Sequence, residues 1–274
     1  MKPKAWANRL SSILNLTHGS DRFPVDVKAL AFGFSQELYP EDAIENIKAV
    51  QLPGFEGALF PRATDVGGWN IFYNDKIQST GRINYTLAHE LAHYLMHRTE
   101  SRHSFECSID DLNGRENERM EREANEFAAS LLMPLDDFRL QLEDIARPSA
   151  NDISNIATRY QVSWTAACLR WLEYTPQSAI LVVSRDDFVL WSRSSRLALK
   201  QGAFYRSRNQ TYCMPEGSLA VIGQADSTGD PAAHDATVWF DRASREYCIS
   251  SSVYDFKLSL IHLDEPRIQF NRKT

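Results

Sequence analysis

The chain has few cysteines and none of them are paired. Cys107, Cys168, Cys213 and Cys248 stand singly, without a CxxC spacing, so no disulfide framework is encoded and the thiols suit a reducing compartment. Long apolar runs are missing as well: nothing approaches the roughly 20 residues of a membrane span. The start, Met1-Lys2-Pro3-Lys4, is basic, but Trp6-Ala7-Asn8-Arg9-Leu10-Ser11-Ser12 is too polar for a signal-peptide core. Basic excess is also absent. Lys and Arg total 30 against 36 Asp and Glu, a net charge of −6, with a pI near 5.7. That argues against a protein that coats nucleic acid and leaves room for a local basic face. A cytoplasmic, bacterial-type protein is expected. What the chain does have is size: 274 residues, 43% of them hydrophobic, enough to bury a sizeable core in two units or more.

The sharpest feature is His89-Glu90-Leu91-Ala92-His93. On a helix, residues i and i+4 lie about 40° apart around the axis and roughly 6 Å along it, so both imidazoles can reach one ion. Zinc bound by three protein groups keeps a position for water. Glu90, about 100° around from His89, can stand beside that water and take its proton. The flanks Tyr85-Thr86-Leu87-Ala88 and Tyr94-Leu95-Met96-His97 contain no Gly or Pro, and Asn84 or Thr86 could cap the start. A third ligand is needed. The metzincin continuation fails, because its Gly and His positions hold Met96 and Thr99. A glutamate on a later helix fits instead, and Glu121 and Glu123 are both candidates. Asn125 lies one turn after Glu121, where a carboxamide could orient a ligand histidine.

These motifs carry a family resemblance. His89 to Tyr94, followed by Glu121-Arg122-Glu123-Ala124-Asn125-Glu126-Phe127-Ala128-Ala129-Ser130-Leu131-Leu132-Met133-Pro134, resembles the ImmA/IrrE metallopeptidases. Gly57-Ala58-Leu59, Trp69 to Asn74 and Arg82 to Thr86 resemble that family's lead-in to its zinc helix. The resemblance spans about residues 50 to 135 and weakens to about 175. It implies an α+β, gluzincin-like fold, one zinc ion, and Glu121, three before Ala124-Asn125, as third ligand, with Glu123 as runner-up; metal availability could put manganese in the site in the cell. It further implies an XRE-type helix-turn-helix repressor as substrate, cleaved on DNA damage, mobile-element activity or phage infection. This chain shows no N-terminal XRE domain of its own, so the repressor is expected to act in trans.

Turn and pattern signals divide the chain into a zinc peptidase domain at 1–147, a helix-turn-helix-like segment at 148–176 and a β-rich domain at 177–274, which the family resemblance implies is a GAF-like sensor. Residues 1 to about 50 read as helices broken at His18-Gly19-Ser20-Asp21 and Tyr39-Pro40-Glu41-Asp42. Trp6, Leu10, Ile13 and Leu14 form an amphipathic face. Phe55 to Phe60 and Trp69 to Tyr73 read as strands, the second being either the cleft edge, where an extended substrate could pair, or interior. Arg98 to Arg119 reads as a surface loop, and Leu135 to Ile145 as a helix. Two helices surround Tyr160-Gln161-Val162-Ser163, with Gln161 where many DNA-binding versions carry Gly; near-balanced charge favours a packing module over a groove reader. Beyond Pro176, strands are expected at 179–183, 188–191, 219–222, 237–240 and 247–249, with 257–263 either strand or helix.

Other residues have a functional reading and a plain one. His97, about 12 Å along the helix from His89, cannot share the ion and reads as structural or as a support for a ligand. His103 reads as a loop residue. Cys107, between the two ligand motifs, could occupy the open zinc position as an inhibitory fourth ligand, or simply sit in its loop. Arg193, Arg196, Lys200, Arg206 and Arg208, with Phe204 and Tyr205 among them, could follow the phosphates of single-stranded DNA as an activator while an aromatic stacks a base, or form a solvated face. The competing readings are a non-proteolytic anti-repressor and a DNA-binding regulator.

Overall fold

The computed structural model describes residues 1–62, 67–100, 105–108, 115–226, 230–251 and 255–265, with the backbone alone described at 105–108 and 115–117. Chain contacts group them into two compact units, residues 1–140 with 157–163, and residues 141–156 with 164–274.

The first unit opens with α1 (Pro3–His18) and α2 (Val27–Leu38). In α1, Trp6 and Leu10 are buried, whereas Ile13 is exposed. A four-stranded sheet follows, from β1 (Ile44–Val50), β2 (Phe55–Pro61), β3 (Trp69–Asn74) and β4 (Phe105–Ser108), in the order β1-β3-β2-β4. β3 runs parallel to β1 and antiparallel to β2, so it is an interior strand and β4 holds the edge. The segment read as a surface loop therefore contains a strand. β1 was hidden for a physical reason: a register shift between Ile44 and Asn46 leaves Ile44 and Ile47 as its buried positions, a spacing of three that mimics a helix.

Between sheet and outer helices runs α3 (Thr80–Met96), every residue of which from Thr86 to Leu95 is buried. Its start is capped by Ser79, whose side chain accepts from Arg82 N. Asn84 donates to Val25 O at 2.9 Å instead. The helix thus starts earlier than its apolar pattern suggests, because Gly81 in its first turn is a poor helix former. Gly81 has another duty: a Cβ there would come within 2.2 Å of Gln161 O. α4 (Arg115–Leu132) packs against α1 and α3, and α5 (Leu135–Leu140) ends before the expected Ile145. Leu10, Leu59, Ile71, Leu91 and Phe127 are fully buried in one core.

α6 (Ala150–Tyr160) and α7 (Trp164–Tyr174) follow, with Gln161 between them at φ 49°, the left-handed conformation in which a glycine is less strained. In the second unit, β5 (Ala179–Arg185), β6 (Phe188–Ser194), β7 (Ala232–Trp239), β8 (Arg242–Ser250) and β9 (Lys257–Leu263) form an antiparallel sheet ordered β6-β5-β9-β8-β7. α8 (Arg196–Lys200) packs on β5 and β6. The ambiguous closing run is central strand β9, and its lack of strict alternation follows from burial of all residues from Leu258 to Leu263. Residues 219–222 form turns rather than a strand; Leu219 and Ala220 enter the core of this unit. Among the described residues no helix is long and apolar enough to cross a membrane.

Candidate metal centre

α3 and α4 pack against each other in the first unit, and their side chains bring three residues with ligand atoms together. His89 Nε2 lies 3.1 Å from His93 Nε2. Glu121 places Oε2 at 3.2 Å from His89 Nε2 and Oε1 at 3.3 Å from His93 Nε2. The closest contacts between these residues involve both Glu121 oxygens, and one ligand atom from each residue lies within 4.8 Å of the other two, so the group could hold one metal ion. This is the group among the described residues whose His, Cys, Asp or Glu atoms converge in that way. His89 and His93 are buried, while the Glu121 side chain keeps 37% exposure, which leaves the centre open on the carboxylate side.

The protonation states of His93 and Glu121 suit a cation. Burial pushes His93 down to about 4, against the pull of its Glu121 hydrogen bond, so the ring is neutral at ordinary pH. Burial opposes charge on His89 too, yet hydrogen bonding to Glu121 and the nearby Glu90 charge raise it overall. Burial works against ionisation of Glu121, but hydrogen bonds from His89 and His93 hold its carboxyl well below the usual range. A neutral imidazole beside an ionised carboxylate is the donor set a divalent metal selects.

The surrounding residues explain why these side chains point inward. Asn125 Oδ1 lies 3.2 Å from His89 Nδ1 and accepts the Tyr85 hydroxyl at 2.6 Å. Burial, and then the Glu121 charge, push Tyr85 up to about 12, so its hydroxyl keeps the proton it donates. The carboxamide expected to orient a histidine thus orients His89 through Nδ1, leaving Nε2 for the metal. Glu123, the alternative third ligand, turns elsewhere: its Oε2 is 3.0 Å from His97 Nε2, and His97 Nδ1 is 3.1 Å from His93 Nδ1.

Glu90 is fully buried and packs against β2 at Gly57. A Cβ at Gly57 would lie 2.6 Å from Glu90 Oε1 and 2.5 Å from Thr86 Cγ2. The glycine is what lets the strand backbone approach the carboxylate, a requirement that spacing along α3 could not reveal. Cys107 sits opposite Gly57 in the β2–β4 register; its side chain, and His103 altogether, lie outside the described residues. Arg193, Arg196, Lys200, Arg206 and Arg208 belong to the second unit, and all five are exposed.

Two histidines one turn apart on a buried helix, a carboxylate from the next long helix and a glutamate beside the first histidine make up a donor group that could hold a metal ion. Residues 45–172 match the family model of the IrrE N-terminal-like domain, Peptidase M78, in agreement with the ImmA/IrrE resemblance of the two motifs. Among solved structures, a Mycobacterium tuberculosis transcriptional regulator is similar at a TM-score of 0.56 and 15% identity, with 95% of this chain and 75% of that one covered. At that identity the likeness is one of fold. A search of curated protein sequences found no match.

Proposed function

We propose that this protein is a zinc-dependent endopeptidase that cleaves an XRE-type helix-turn-helix repressor in response to a stress signal such as DNA damage or phage infection. The observation that carries the reading is the convergence of His89, His93 and Glu121, each with a ligand atom within 4.8 Å of the other two, with Glu90 next to the first ligand. Zinc held there supplies Lewis-acid polarisation of the scissile carbonyl and a lowered pKa for water. Glu90 takes the proton from the attacking water and returns it to the leaving amine. Asn125 keeps His89 in its ligating orientation. The outer edge of β4, an edge strand among the described residues and next to Gly57 and thus to Glu90, offers backbone groups to which an extended substrate segment can add as a further strand.

A regulatory role is supported by the family match and by the similarity in fold to a mycobacterial transcriptional regulator. We assign peptidase function to residues 1–147, a helix-turn-helix-like segment to 148–176 and a GAF-like sensor to 177–274, the last supported by the single antiparallel sheet ordered β6-β5-β9-β8-β7. Within that sensor the exposed cations from Arg193 to Arg208 form the docking face for single-stranded DNA; binding there weakens as salt rises. Cys107 is the proposed resting-state zinc ligand, and Cys107→Ser then raises basal proteolysis. We place the protein in the cytoplasm. The deciding experiment incubates a candidate repressor, identified by its gene neighbouring this one, with metal-loaded wild type and with Glu90→Gln. Cleavage by wild type alone is expected; an intact repressor under every trigger tested would favour sequestration without hydrolysis.

A further inference from the structure

Beyond the ligands, the most specific side-chain geometry runs from His93 away from the metal position. His97 lies one turn after His93, both rings are buried at 0% and 1% exposure, and Glu123 stands at the far side of His97. The chemistry of the two ends fixes each proton between them. A neutral histidine that offers Nε2 to a cation carries its hydrogen on Nδ1, so His93 donates to His97. His97 Nδ1 is therefore the acceptor and its hydrogen sits on Nε2, from which it donates to Glu123, an acceptor-only group when ionised. Reversing either link would set two hydrogens or two lone pairs against each other. Arg119 holds Glu123 from outside, with Nη1 at 3.2 Å from Oε2, and is itself paired with Glu100 at 2.6 Å.

We propose that His97 and Glu123 form a relay that positions His93 as a metal ligand, so that the second carboxylate of the α4 motif acts on the metal through two imidazoles. This inference rests on the metallopeptidase reading of the centre. His89 is held differently, by the neutral carboxamide of Asn125. A charged acceptor makes the stronger hydrogen bond and raises the basicity of the ligand it orients. His93 is thus the anchoring ligand and His97 a positioning residue.

The test measures zinc affinity of the full chain by competition with a chromophoric chelator, alongside the melting temperature of the metal-free protein. Glu123→Ala changes a partly exposed side chain and is expected to weaken zinc binding about tenfold while leaving metal-free melting unchanged. Glu123→Gln, which still accepts from His97, recovers part of that loss. His97→Phe is expected to weaken zinc by about 10–100-fold, and His97→Gln, which retains one acceptor and one donor, less. Zinc affinities within about twofold of wild type for both Glu123→Ala and His97→Phe overturn the relay, as does a loss matched by an equal loss in metal-free melting. If wild type itself fails to bind one zinc, the metal centre falls and the relay with it, an outcome distinguishable from failure of the relay alone.

Discussion

Each unit buries a carboxylate with histidine, and the two clusters do different things. In the first, Glu121 meets His89 and His93, and the three groups converge on one point while the carboxylate stays partly exposed. In the second, Glu246 is fully buried and saturated. Its Oε2 accepts from Trp239 Nε1 at 3.1 Å and Leu219 N at 3.2 Å, and lies 2.8 Å from His234 Nε2. Its Oε1 accepts from Ser259 Oγ at 2.7 Å. One histidine and three donors that cannot ligate a cation leave Glu246 no capacity for a metal; they fasten β7, β8, β9 and the turn at Leu219 to each other. Residue type alone does not make a metal site. Ligand atoms must face one centre, with room left for substrate.

This contrast can be attacked by substitution. The largest effect is expected from Glu90→Gln: peptide hydrolysis falls by about 10²–10⁴-fold, while metal analysis finds the same zinc content as in wild type. Glu246→Ala strands several buried donors and costs about 3–5 kcal/mol, read by urea denaturation, with zinc stoichiometry unchanged; Glu121→Ala does the reverse, removing zinc with little change in metal-free stability. Equal effects of those two variants on both readouts would erase the distinction. Gly57→Ala displaces Glu90 without touching a ligand, so turnover drops about 10²-fold at unaltered zinc affinity, measured by parallel kinetics and chelator competition.

The smallest effects concern stability against pH, and they separate the units by group type. In the second unit His262 lies 2.9 Å from Pro148 O, and burial pushes it down to about 4. The unfolded chain takes up that proton first, so the His262 contribution is complete above its ordinary value and declines by roughly 1–3 kcal/mol as pH falls toward 4. A His262→Gln variant should show a flatter profile of denaturation midpoint against pH over that window. In the first unit, burial opposes ionisation of Asp137, yet hydrogen bonds from Arg159 and Tyr160 hold its carboxyl below the ordinary value. Its contribution is present at neutral pH and lost only as pH falls through the depressed folded value. Asp137→Asn should cost about 1–2 kcal/mol at pH 7, visible in the same denaturation assay.

Local features were legible wherever one element carried the signal. The zinc helix, the carboxylate helix, the β5–β6 hairpin and β8 follow from spacing and pattern. β1 was not legible, because its register shift imitates helical spacing, and neither was β4, a short strand in a charged segment whose pairing with β2 is a long-range event. The choice between Glu121 and Glu123 was open on spacing alone, since both sit on one helix within two residues. Packing against α3 turns Glu121 to His89 and His93, and sends Glu123 to His97.

The sequence by itself determined the chemistry: two histidines one turn apart with a glutamate between them can serve one ion and one water on any stable helix, because helical pitch is fixed. It also determined that the metzincin geometry was unavailable, since the required residue types are not there. Only the tertiary structure decided which carboxylate meets the two histidines, why Gly57 must lack a side chain, that β3 is interior and β4 an edge strand among the described residues, and that His97 stands behind His93. Those facts depend on which surfaces of distant segments meet, and packing between segments has no local period in the chain from which it could be read.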